Sequence, residues 1–345
     1  MNKKIKVIGL ISLIIFFTVS IFGYNIYSKI YTKNVISDCF VFIPTDTTID
    51  ELSEILNPHI NNTDSFKWVA EKKKYHTHIK PGKYSLHAGM NNNELVNLLR
   101  SGKQTPINLS FNNQHSLENL AGRISQQIEA DSISLLKAFK DITFLKENNF
   151  SKETALAMYI PNSYQVYWNT NAIGFRKKML TEYHNFWNAK RLALAKKQKL
   201  TPIEINSLAS IVQKETAHVA ERATVAGLYL NRYHHNWPLQ SDPTVIFALK
   251  QKHGQDFEVK RVLNKDLQID SKYNTYKYRG IPPGPIAMPD ISSIDAVLNP
   301  KKHNYYYMCA SIEDFGKHAF ARNLSEHNKN AQIYQRWLSK QGVNR

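Results

Sequence analysis

Cysteine is scarce in this sequence: there are two in 345 residues, Cys39 and Cys309. They lie far apart and lack the close spacing that holds a zinc ion or an iron–sulfur cluster. Two cysteines form one disulfide at most, which excludes a cross-linked scaffold and leaves their pairing open. Cys309 sits in an apolar run, Tyr305 to Ala310, and reads as a buried, inert thiol. Histidine is plentiful, yet no His-Glu-x-x-His or comparable ligand set occurs, so the sequence implies no metal and no cofactor. Internal repeats and low-complexity tracts are also missing, which excludes solenoid and fibrous architectures. Acidic side chains are in the minority, 28 Asp and Glu against 45 Lys and Arg, for a formal net charge of +17. That excess favours an anionic partner such as a nucleic acid, an acidic membrane face or an acidic polymer. The basic residues are dispersed in short runs, among them Lys72-Lys73-Lys74 and Lys196-Lys197, in the manner of a solvated surface. No groove-reading motif accompanies them, and no nucleic-acid partner is expected.

Apolar residues are well supplied, at 42%, enough to build cores and to exclude wholesale disorder. The length suggests two or three domains. Residues 7–28 carry no charged side chain. As a helix they would reach roughly 33 Å, the thickness of a hydrocarbon core. Lys3, Lys4 and Lys6 precede them, which predicts a cytoplasmic N-terminus by the positive-inside rule, and Tyr24 and Tyr27 fall where an interfacial belt belongs. The rival is a cleaved signal peptide, but no small-x-small box follows the apolar run. No later stretch is long enough to span. The expectation is a single-pass inner-membrane protein whose remaining chain lies outside the cytoplasm.

The patterning predicts an α+β protein. Residues 1–6 read as a cytoplasmic tail, 7–28 as the transmembrane helix and 29–38 as a linker. Residues 39–105 form a compact α+β module. Its predicted parts are a strand from Cys39 to Ile43, a helix capped by Thr48, a helix near 64–74, a strand from Lys83 to Leu86, and a helix capped by Asn92 that ends at Gly102. Residues 106–200 form a mostly helical connecting region after a short strand at 107–111, and Pro161-Asn162-Ser163-Tyr164 interrupts them as a turn or loop. Residues 201–345 form a C-terminal α+β domain. Its first helix starts at Pro202, and it contains a hairpin of 304–311 with 318–322 and ends in an amphipathic helix from about Ser325.

One carboxylate breaks the pattern. From Ile205 to Thr216, at 100° per residue, Ile205, Leu208, Ala209, Ile211 and Val212 share one arc, with Asn206, Ser207, Ser210, Gln213 and Lys214 opposite. Glu215 projects between Leu208 and Ile211, in the apolar arc. Such a violation is expected at a functional site. Desolvation there would raise its pKa, as a general acid at neutral pH requires. The alternative is a helix-end acid turned to solvent or paired with a base such as Arg222. Glu221 has the same ambiguity, and with Arg222 beside it a structural role is favoured. His218, three residues after Glu215, reads as a surface residue or a support rather than a ligand.

The segment Ala209-Ser210-Ile211-Val212-Gln213-Lys214-Glu215-Thr216-Ala217 resembles the signature of the YceG-like endolytic murein transglycosylases (the MltG family). Further motifs follow in the family's order: Glu221-Arg222, Asn231-Arg232, Leu239 to Val245, Tyr273-Asn274-Thr275-Tyr276, Gly280 to Ile286, Asn323 and His327-Asn328. Upstream, Lys80 to Tyr84 and Pro161 to Tyr164 resemble its landmarks, so the resemblance runs from about residue 40 to the C-terminus. Gln213 departs from the pattern, standing where many members have glutamate. Because it lies on the polar arc, the chemistry should be unaffected.

The resemblance implies a membrane anchor, a LysM-like module at 39–105 and a catalytic domain at 201–345. Glu215 would be the catalytic acid that cleaves the bond between N-acetylmuramic acid and N-acetylglucosamine in nascent peptidoglycan glycan strands, terminating their elongation. Ordinary glycosidases need two carboxylates. Here Glu215 would protonate the glycosidic oxygen and then take the proton of the muramic C6 hydroxyl, which closes on C1 to leave a 1,6-anhydro end. The hydroxyl is tethered to the reacting ring, so effective molarity replaces a second activated nucleophile. Gln240, Asp242, Tyr273, Asn274, Tyr276, Glu221 and Asn323 are the candidate substrate-binding residues, although Asp242 before Pro243 also suits a turn and the tyrosines a core. Penicillin-binding synthases are the implied neighbours. The competing functions are a two-carboxylate hydrolase using Glu215 with Asp242, and a non-catalytic wall-binding scaffold.

Overall fold

The computed structural model describes residues 3–341. Residues 1–2, the start of the expected cytoplasmic tail, and 342–345, the end of the expected catalytic domain, lie outside the described residues. Within them the fold mixes helices with short strands. The apolar N-terminal run is one helix, α1 (Lys3–Tyr31), which extends past the uncharged stretch at both ends. Among the described residues it is the one helix long and apolar enough to cross a membrane. Its Ile, Leu and Phe side chains lie uncovered by the rest of the protein, from Ile5 to Phe22.

The chain divides into two compact units. The first comprises the described residues up to 109 together with 127–130 and 164–171; the second comprises 110–126, 131–163 and the residues from 172 onward. In the first unit, strands β1 (Cys39–Ile43) and β2 (Gly82–Leu86) pair antiparallel, with Cys39 opposite Leu86 and Ile43 opposite Gly82. Gly82 has φ 135°, and a Cβ there would collide with the Gln104 side chain, so glycine is required. Helices α2 (Ile49–Leu56), α3 (Thr63–Lys72) and α4 (Asn92–Ser101) complete the unit. Thr48 and Glu51 form a capping box at α2. The cap of α4 is Asn91, with Glu94, one residue before the expected Asn92. Asn92 instead turns inward and donates to the Lys29 carbonyl and to Ser65 Oγ, so its amide is satisfied inside. Leu52, Leu56, Phe66, Val69, Tyr84, Leu86, Leu95 and Leu99 close the core.

The chain leaves the first unit within β3 (Ile107–Phe111). Helices α5 (Leu117–Ser125), α6 (Ser132–Phe139) and α7 (Ile142–Glu147) follow. The segment expected as a turn at Pro161 to Tyr164 lies largely in a strand, β4 (Asn162–Val166). Pro161 sits immediately before it, where the missing N–H costs no ladder bond. Then come α8 (Ala172–Phe186), α9 (Ala189–Lys197), α10 (Pro202–Glu215), α11 (Val219–His234), α12 (Asp242–His253) and α13 (Ile291–Leu298). A hairpin of β5 (Tyr307–Ala310) and β6 (His318–Ala321) pairs Tyr307 with Ala321 and Ala310 with His318, and α14 (Leu324–Lys340) ends the fold.

Helix α10 is the centre of this unit. Pro202 opens it inside a capping box of Thr201 and Glu204. It packs on α11 and α13. Most of the polar arc is buried: Asn206, Ser207 and Ser210 are each 1% exposed, while Lys214 at the end is exposed. The physical reason is that α10 is covered on both sides. Ser210 Oγ accepts from the Ile286 N–H, and Gln213 Oε1 from the Asp290 N–H, so the polar arc anchors the loop leading to α13.

Candidate active site

Glu215 is the last residue of α10, partly buried, at the bottom of a pocket of about 230 Å³. Leu208 and Ile211, its neighbours in the apolar arc, are fully buried. Two hydroxyls converge on a single oxygen of its carboxyl group. Tyr229 Oη, from α11, donates to Oε1 over 2.7 Å, and Ser241 Oγ donates to the same atom. Oε2 has no hydrogen-bond partner among the described residues and is the oxygen left for a ligand. Burial pushes the Glu215 carboxyl above the usual range. The hydrogen bonds from Ser241 and Tyr229 and the nearby His318 ring pull it down without cancelling that effect, and Asp242 adds to the rise. The negative end of the α10 dipole also disfavours the charged form. Burial thus favours the protonated form of this group.

Local backbone explains how Ser241 reaches it. Gln240 has φ 54°, an uncommon left-handed conformation for a residue other than glycine, and its N–H donates to the Thr275 carbonyl. The Ser241 N–H donates to Thr275 Oγ1, which in turn lies 2.8 Å from Thr244 Oγ1. Ser241 occupies the N-cap position of α12, yet its hydroxyl caps nothing. It is aimed instead at Glu215, so a helix-stabilising group has been spent on the site.

Of the residues singled out from sequence, Glu215, Gln240, Asp242 and Tyr276 line this one pocket. Tyr276 Oη donates to Asp242 Oδ1 over 2.6 Å. Glu221 lies behind the wall at 7% exposure and grips His318, accepting from its backbone N–H at 2.7 Å and from ring Nδ1 at 3.0 Å. Burial alone would raise the Glu221 carboxyl, but these bonds from His318 outweigh it and hold the group below its ordinary range. The other three lie outside the pocket lining. Tyr273 packs on Phe247, Asn274 ties the carbonyls of Leu267 and Ile269, and Asn323 caps α14. Glu215 does not pair with Arg222, which binds Asp290 and Ser292.

Sequence reasoning missed Tyr229, Arg232, Ser241 and the hairpin residues Met308, Cys309, Ala310 and His318, all of which meet at the pocket. Arg232 is 8% exposed; its Nε donates to the Tyr306 carbonyl at 2.7 Å and its Nη1 to the Leu239 carbonyl. The signal was present for Ser241 and Arg232, which stand inside quoted motifs, but not for the hairpin. Both cysteines are free thiols, and burial raises that of Cys309. A larger cleft of about 870 Å³ includes Asn112, Arg123, Asn162, Ser163 and Asp290. It is served by Gln213, about 200° around α10 from Glu215. Its one carboxylate, Asp290, is paired with Arg222. Size favours that cleft, whereas the buried carboxyl with a raised pKa lies in the smaller pocket.

Comparison with known proteins places the chain among relatives. The chain is 28% identical over 310 residues to the endolytic murein transglycosylase of Bacillus subtilis (strain 168), covering 85% of this chain and 83% of that protein. It is 27% identical to the endolytic murein transglycosylase of Streptococcus pneumoniae (strain ATCC BAA-255 / R6), over 84% of this chain. It spans 57% of that longer relative. A crystal structure of a YceG-like protein from Listeria monocytogenes matches with a TM-score of 0.55 at 29% identity, covering 85% of this chain and 98% of the other. The model of the YceG-like family matches residues 41–333, a span that contains the entire Glu215 pocket, and the chain belongs to that family.

Proposed function

We propose that this protein is a membrane-anchored endolytic lytic transglycosylase of peptidoglycan, a lyase with Glu215 as its acid. The observation that carries the reading is a carboxyl group in a pocket whose protonated form burial favours, with one oxygen pinned by two hydroxyls and the other without a hydrogen-bond partner among the described residues. In that form Glu215 protonates the oxygen between N-acetylmuramic acid and N-acetylglucosamine, and the C1–O4 bond breaks toward an oxocarbenium-like centre. The C6 hydroxyl of the same muramic ring closes on C1 and leaves a 1,6-anhydro end. Tethering supplies the nucleophile at high effective concentration. Gln240, Asp242 and Tyr276 offer polar contacts to the sugar and to the charge that develops on it. The names of the relatives support the same chemistry.

Helix α1 would anchor the protein in the inner membrane with its N-terminus cytoplasmic and the Glu215 pocket on the wall side. Residues 39–105 would act as a LysM-like module on the glycan, near the penicillin-binding synthases whose strands the enzyme terminates.

Digestion of purified glycan strands by the detergent-solubilised protein, read by mass spectrometry, tests the proposal. Wild type should yield anhydro ends. Glu215→Gln keeps the shape and the hydrogen bonds to Oε1 but has no proton to give, and should cut the rate by about 10²–10⁴-fold while leaving the melting temperature and glycan binding intact. Reducing ends in place of anhydro ends would instead select the hydrolase reading, in which Asp242, in the same pocket, activates water. Unchanged cleavage by the variant would remove Glu215 from the mechanism.

A further inference from the structure

A single-acid scheme returns the proton of the attacking C6 hydroxyl to Glu215. Returning it to Glu215 asks much of a single atom. Oε1 already accepts two hydrogen bonds, so Oε2 would have to serve the leaving O4 and then the incoming O6 in succession. A second proton handler lines the same pocket. His318 is the first residue of β6, set opposite Ala310, and both contribute to the lining. Its Nδ1 lies 3.0 Å from Glu221 Oε2, and its backbone N–H donates to Glu221 Oε1. Glu221 is held in the carboxylate form and can only accept. Nδ1 must therefore carry a hydrogen, and the neutral ring keeps its lone pair on Nε2. Nε2 has no hydrogen-bond partner among the described residues, the side chain is 17% exposed, and His318 lines the pocket. A carboxylate behind an imidazole whose far nitrogen faces a substrate site is the general layout of an oriented base.

We propose that His318 is a second catalytic residue, with Nε2 as the base that takes the C6 hydroxyl proton and Glu221 as the positioning residue that orients it. The step balances. The C1–O4 bond breaks, its electron pair goes to O4, and O4 takes the proton of Glu215. An O6 lone pair then forms the O6–C1 bond while the O6–H proton passes to Nε2. Glu215 ends as carboxylate and His318 as imidazolium, and one proton returned from the second to the first through water restores both. Nothing is oxidised, and no co-reactant is needed.

The proposal rests on the transglycosylase reading, and one experiment separates the two. Full-length wild type, His318→Gln, His318→Ala and Glu221→Gln are assayed in detergent on purified glycan strands. The readouts are kcat, KM, melting temperature and the ratio of anhydro to hydrated ends. His318→Gln should lower kcat by roughly 10²-fold with KM nearly unchanged. It should also raise the share of hydrated ends, because water competes at C1 once O6 is no longer deprotonated. Free imidazole should restore rate and anhydro share to His318→Ala. Glu221→Gln should give a smaller loss in the same direction. A fall in rate that follows the melting temperature, with the anhydro share constant and no rescue by imidazole, would overturn the proposal and leave His318 as a pin for β6. Absence of anhydro ends from the wild type would instead defeat the transglycosylase reading itself.

Discussion

Glu215 receives both of its hydrogen bonds on one oxygen, and that asymmetry makes its proton titratable in a readable way. Burial raises its pKa, and the bonds from Ser241 and Tyr229 partly offset the rise by favouring the charged form. In the proposed mechanism activity requires the protonated group, so it should be lost as pH climbs through that pKa. Removing a donor takes away stabilisation of the carboxylate and raises the pKa further. Tyr229→Phe should therefore move the alkaline limb of the kcat–pH profile to higher pH and lower the maximum rate. A limb that stays in place or moves toward acid would show that the hydroxyl does not act on the acid's titration.

Among the elements, α10 carries the site and the loop before α13 supports it. Gly284 in that loop lies so close to the Glu153 carbonyl that a Cβ would collide with backbone. Gly284→Ala should cost about 1–3 kcal/mol, read as a lower melting temperature, and should also reduce activity, because the loop hangs on Ser210 one turn before Glu215. How much of this was legible follows from range. Caps and turns were: Thr48, Pro202 and Gly102 announce helix ends through neighbours within a few residues. So was the apolar setting of Glu215, because helical period alone places it between Leu208 and Ile211. The fate of the opposite arc was not, since periodicity distinguishes two faces but cannot say that both are covered. Nor were the partners of the acid. Tyr229 reads as one more core aromatic, Ser241 as an ordinary N-cap, and His318 reaches the pocket only through strand pairing and a carboxylate 97 residues away.

At the scale of the whole protein, α1 makes a statement that needs no catalysis to check. A single uncovered apolar helix of this length should partition into lipid irreversibly under mild conditions. The protein should stay in the membrane pellet through alkaline carbonate and high salt and leave it only in detergent. Release by carbonate would mean that the helix is cleaved or does not insert. Arg232 has a different reach. One planar fork holds the chain leading to Ser241 and the chain leading to the hairpin, so the distance between the jaws of the pocket is fixed by the span of a guanidinium. Lysine, a point donor on a flexible stem, cannot bridge both carbonyls at that span. Arg232→Lys should leave Glu215 chemically intact yet weaken catalysis by loosening its aperture, raising KM and lowering kcat together. The enzyme's bite, and hence the girth of strand it admits, would then be gauged by a residue whose fork is taken up by two backbone carbonyls.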